Sequence, residues 1–96
     1  MLLQANLSYT RHAETRCQQR GISRETVTLI LDYGCTKHDH HGGVVHYLDH
    51  KTRQLLLKQH PEVKTKLDKQ LQVYVVTSAE SGQVITTGHR YRRIYN

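Results

Sequence analysis

The sequence predicts an α+β fold, with two N-terminal helices packed on a curved antiparallel sheet of about four strands and a helical segment inserted into the strand order. Three observations carry this. Two early stretches open on a hydroxyl residue, hold apolar residues at helical spacing and close on glycine. Residues 71–78 alternate Leu71, Val73 and Val75 with Gln72, Tyr74 and Val76, the period of a strand. Glycine-bearing turns stand between the other strand-like runs.

The first helix is expected over residues 8–20. Ser8 or Thr10 can cap it, because a side-chain oxygen there accepts from backbone N–H groups that the helix leaves open. Gly21 follows where a left-handed residue ends a helix at little cost. Ser23 caps the second helix, with Glu25 in its first turn and Ile22 and Val27 placed as a hydrophobic staple. Val27, Ile30 and Leu31 share one face, and Gly34 ends the helix.

Strands are expected at 35–40 and 44–49, around a turn at His41-Gly42-Gly43. Residues 52–70 read as helical, broken near His60 because Pro61 suits the first position of a new helix and not the interior of an old one. After the strand at 71–78 comes a turn at 79–82 and a returning strand at 83–87. The tail, residues 89–96, is a candidate for one more strand.

Ninety-six residues suit one domain spanning 1–96. All six aromatic residues are Tyr, so the core rests on Leu, Ile and Val, and a homodimer would help to cover it. The formal charge of +6 and pI near 9.6 favour anionic partners, nucleic acid first. No run approaches the roughly 20 apolar residues of a membrane span. Two cysteines without CxxC spacing, and no signal-like start, point to the cytoplasm.

The residues with chemistry lie at the two ends of the chain. His12, Arg16 and Arg20 fall at i, i+4 and i+8 along one helix face, with Ala13 and Cys17 as a small-residue stripe beside them. An imidazole beside guanidiniums combines a proton carrier with a phosphate clamp. Arg11 precedes them as a further basic group for nucleic acid. Residues 86–95 hold Thr86, His89, Arg90, Tyr91, Arg92 and Arg93 and no acid. Along a strand, Arg90 and Arg92 share one side, while His89, Tyr91 and Arg93 share the other. Cations interleaved with aromatic rings suit single-stranded nucleic acid. The bland alternatives are a solvated basic helix face and a basic terminus.

His38, His40, His41, His46 and His50 invite a metal reading, but their spacing matches no standard site, so neither a metal nor a cofactor is expected. Cys17 reads as a small buried residue. The chain has no glycine-rich phosphate loop and no GxSxG motif.

Residues 10–23, TRHAETRCQQRGIS, together with 84–93, VITTGHRYRR, resemble an uncharacterised family of small prokaryotic domains. That family is similar to the RelE and BrnT ribonuclease toxins and to the wider barnase–colicin–RelE group. The resemblance implies a metal-independent ribonuclease site between the first helix and the sheet. It points to His12, Arg16 and Arg20 from the helix and Thr86, His89 and Arg90 from the last strand. It also implies RNA as substrate and an antitoxin protein as partner. The alternative is a module that uses the same basic face to bind nucleic acid or protein without chemistry.

Overall fold

The computed structural model describes residues 7–63 and 72–89. Its elements run α1 (Arg11–Arg20), α2 (Arg24–Tyr33), β1 (Cys35–His38), β2 (Gly43–Tyr47), α3 (His50–Gln59), β3 (Val73–Ser78) and β4 (Val84–His89). The fold is α+β, with helices packed on a four-stranded antiparallel sheet of order β1-β2-β3-β4.

Local chemistry sets the helix ends. Thr10, not Ser8, caps α1: its Oγ1 accepts from the Ala13 N–H at 3.0 Å. Gly21 closes α1 at φ 66°, and the Ile22 N–H reaches back to the Cys17 carbonyl at 2.9 Å. Ser23 caps α2 through the Thr26 N–H at 3.1 Å. Gly34 ends α2 with an ordinary φ of −77°, so left-handed backbone is not its role. A Cβ there would meet the Ile30 carbonyl oxygen and would stand 2.8 Å from that of Tyr47.

Several boundaries differ from those expected, and those of β1, β2 and α3 do so for a polar reason. β1 stops at His38, short of residue 40, because the Asp39 carboxylate takes the turn's N–H groups from His41 at 2.7 Å and Gly43 at 2.8 Å. His40 and Gly42 then carry the positive φ angles of that turn, 64° and 86°. β2 stops at Tyr47 and α3 begins at His50, earlier than residue 52, because Asp49 caps α3 by accepting from the Thr52 N–H at 2.8 Å. The helix breaks at His60 as expected from Pro61. Residues 64–71 lie outside the described residues, and with them most of the second helical piece. β4 runs on to His89, past the expected end at 87, so His89 belongs to that strand. The tail beyond it lies outside the described residues.

The core forms where the helices meet one sheet face. Val73, Val75 and Thr77 of β3 are buried on that face, and Tyr74, Val76 and Ser78 on the other are half-buried. Val27, Ile30, Leu56 and Val84 are fully enclosed. Ala13 and Cys17, both small and buried, lie along α1 where it packs on β4.

Gly34→Ala is expected to lower stability by about 1–3 kcal/mol, because a methyl group there must displace backbone. Thermal unfolding measures the loss. A melting temperature matching wild type would mean that the α2–β2 approach can open freely.

Candidate functional site at the α1–β4 seam

Helix α1 runs alongside β4 in the same direction and is fastened to it along its length. At the start, the Thr10 N–H donates to the Val84 carbonyl at 2.9 Å, and the Val84 N–H to the Ser8 carbonyl at 2.8 Å. The Thr10 hydroxyl donates to the Ile85 carbonyl at 3.1 Å. Midway, Cys17 Sγ meets Thr87 Oγ1 at 3.6 Å. At the far end, His89 Nε2 lies 3.0 Å from the Arg20 carbonyl oxygen. A carbonyl only accepts, so that ring nitrogen carries the hydrogen.

With Ala13 and Cys17 turned to the sheet, His12, Arg16 and Arg20 form the flank on one side, and Glu14 and Gln18 the flank on the other. Glu14 faces α2, pairing with Arg24 at 3.2 Å. Because α2 lies over β2 and β3, the basic flank looks out past β4, the end strand among the described residues. His12 and Arg20 are exposed, and Arg16 is half-buried. Arg16 Nε donates to His12 Nε2 at 3.4 Å, a contact that needs this nitrogen unprotonated. Arg11 opens the helix on its exposed side.

The structure thus brings His12, Arg16, Arg20 and His89 to one seam. Thr86 is not among them. Register pairs Val75 with Thr87 and Val73 with His89, on the helix-covered face; Thr86 pairs with Val76 on the opposite face. Arg90, Tyr91, Arg92 and Arg93 lie outside the described residues. Among the hairpin histidines, Thr36 stands opposite His46, His38 stands opposite Val44, and His40 lies in the turn. No group of three or more metal-ligating side chains gathers among the described residues.

A cleft of about 320 Å³ on the other flank went unread in the sequence. It is lined by Tyr9, Glu14, Cys17, Gln18, Ser23 and Arg24, among others. The Arg24 guanidinium sits 4.1 Å from the Tyr9 ring centre. Burial pushes the Tyr9 phenol up, against the opposing pull of Arg24. Ten residues separate Glu14 from Arg24, across a turn, so no helical spacing marks the pair.

His46 lies half-buried on the covered face of the sheet, opposite Val75. Its Nε2 meets Thr77 Oγ1 at 2.8 Å, and its Nδ1 is buried with no hydrogen-bond partner among the described residues. Burial holds this imidazole below its ordinary value, so the fold prefers the neutral ring. The unfolded chain therefore takes the proton first, near its ordinary value of about 6.5. Stability is full above that value and declines as pH falls through it towards the lower folded value. Asp39 is also lowered, first by the His41 N–H and then by that of Gly43, so its contribution is lost only at more acid pH. Melting temperature against pH should show a first decline below about pH 6.5 that His46→Gln abolishes. A decline unchanged in that variant would place the proton elsewhere.

Neither a curated protein nor a solved structure matches the chain. Residues 9–89, a span that takes in the α1–β4 seam and the whole described sheet, match the profile of a family described as a domain of unknown function, DUF4258, and the chain belongs to that family.

Proposed function

We propose that the protein is a metal-independent endoribonuclease that holds RNA along the α1–β4 seam. The observation that carries this is the His12–Arg16 contact, which sets a proton-accepting imidazole nitrogen beside a guanidinium. Arg16 stands one helical turn from His12 and one from Arg20, roughly 6 Å along the axis in each direction. His89 joins Arg20 at the second level. A phosphate clamped by Arg16 therefore has an imidazole to either side.

One imidazole takes the proton from the ribose 2′-hydroxyl. The resulting oxygen attacks the adjacent phosphorus. The other imidazole gives a proton to the departing 5′-oxygen. The bond to that oxygen breaks, leaving a 2′,3′-cyclic phosphate on one product and a 5′-hydroxyl on the other. Arg16 and Arg20 offset the charge that builds on the phosphate oxygens. Arg90 is a further candidate for that role. Kinship with RelE- and BrnT-type toxins, expected from the sequence motifs, would add an acidic antitoxin segment as the partner that covers the basic flank.

One observation favours a second reading, binding without cleavage. The His89 ring is engaged by main chain, and a proton donor must leave that contact to reach substrate.

Purified protein is expected to cut single-stranded RNA in the presence of EDTA, yielding cyclic phosphate ends, and to leave the all-deoxy strand whole. His12→Ala should slow cutting by about 100- to 10,000-fold. Arg16→Ala should slow it by roughly 100-fold or more. Intact RNA after long incubation, with salt-sensitive binding retained, would leave the binding module in its place.

A further inference from the structure

We propose that Tyr74, on the sheet face opposite α1 and α2, is a stacking platform for an unpaired RNA base. This rests on the RNA reading above and names where the strand runs beyond the seam. Register builds two rows across this face. One holds Cys35, Tyr47, Tyr74 and Gly88; the other holds Lys37, Val45, Val76 and Thr86. The first half of the former row is covered, with Tyr47 buried and the Cys35 thiol against Asp49 and Thr52 at the start of α3, which leaves the Tyr74–Gly88 end.

Tyr74 stands directly opposite Gly88, and its ring lies over that glycine. A Cβ at Gly88 would fall 2.7 Å from Tyr74 Oη and 2.8 Å from its Cε2 and Cζ. The ring can recline across β4 only because residue 88 has no side chain. Tyr74 remains partly exposed in that pose. A ring lying along a sheet turns one π face down and offers the other to a base. Stacking of this kind accepts any base.

The charges nearby fit the same occupant. Lys37 lies in the neighbouring row, and neither row contains an acid. Asp39, beyond them, is held by the N–H groups of its own turn. In sequence, Gly88 is followed after one residue by Arg90, Tyr91, Arg92 and Arg93. β4 is the end strand among the described residues, with the Arg16–Arg20 flank beyond it. RNA gripped by that flank has to cross a single β-strand to lay its next base on Tyr74.

The test uses a fluorescein-labelled single-stranded 2′-O-methyl RNA, which lacks the free hydroxyl and cannot be cut. Affinity is read by anisotropy over a salt series, beside the melting temperature of each variant. Tyr74→Ala should weaken binding by about 5- to 100-fold with the salt slope unchanged, because no charge is lost. Tyr74→Phe should bind as wild type does. Tyr74→Leu, which still covers Gly88 but has no π face, should bind as weakly as the alanine variant. Leucine restoring full affinity would overturn the proposal, since covering the glycine would then suffice. So would a folded alanine variant within about twofold of wild type. A polyglutamate peptide that loses binding in Tyr74→Ala while the RNA does not would also overturn it and point to an acidic protein instead. Binding that depends on Tyr74 in a protein that never cuts RNA keeps the platform and removes the nuclease. Normal cutting with binding indifferent to Tyr74 does the reverse.

Discussion

Helix α1 is bound to strand β4 at its N-cap and at its last residue, and the position of each seam side chain follows from that attachment. The Thr10–Val84 and Ser8–Val84 hydrogen bonds fix where the helix starts, and the contact of His89 with the Arg20 carbonyl fixes where it ends. Between them the helix must lie close, and Ala13 and Cys17 permit this because neither carries a bulky side chain. Larger residues there would lift α1 from the sheet and break the terminal contacts together. Close approach also explains why the basic residues sit beside the buried stripe. A residue one position before a buried one is turned by about 100° from it, towards the helix flank. Packing and electrostatics at the seam are thus two consequences of one helical phase.

The two flanks of α1 are polarised in opposite senses. The flank facing α2 pairs Glu14 with Arg24 and stacks Arg24 on Tyr9. Both members of the Glu14–Arg24 pair are more than half exposed, so solvent screens it and it adds little stability. Its effect is to set an acid against a cation on the inner flank and leave the outer flank basic. The Arg16–His12 contact belongs to that outer flank and joins a cation to a neutral ring. An anion arriving there meets guanidinium groups with no carboxylate among the three stripe residues.

Much of the fold was legible because caps, turns and alternation are local. Ser23 and Gly21 act as their positions suggested, and the alternation read over 71–78 is a strand from Val73 to Ser78 whose buried face is the one predicted to be apolar. Boundaries were misread where a carboxylate served backbone N–H groups. Asp39 ends β1 and Asp49 begins α3, and in each case the residue also fits a strand pattern. Gly34 was read rightly as a helix end, but the reason is the approach of the Tyr47 carbonyl, a contact with a distant strand. The candidate site was legible on α1, where helical phase alone gathers His12, Arg16 and Arg20. It was not legible on β4. Whether Thr86 or Thr87 faces the helix depends on how β4 is paired, and pairing is non-local.

The deciding feature of that pairing is one extra residue. Thr77 opposes Val84, yet Val76 opposes Thr86, so Ile85 is a bulge. Continuing from the Thr77–Val84 pair without a bulge would set Thr86 against Val75 and Gly88 against Val73. Thr86 and Gly88 would then face α1, while Thr87 and His89 would face away from it. Cys17 would lose Thr87, and the Arg20 carbonyl would lose His89. On the opposite face, Tyr74 would lose the glycine beneath its ring. A slip of one residue exchanges the two faces of a strand, so both surfaces of β4 depend on Ile85 standing out of register. The Thr10 hydroxyl holds the carbonyl of that same residue. The cap of α1 therefore touches the bulge directly, and the helix that carries His12 and Arg16 starts at the point where β4 sets which of its side chains will meet them.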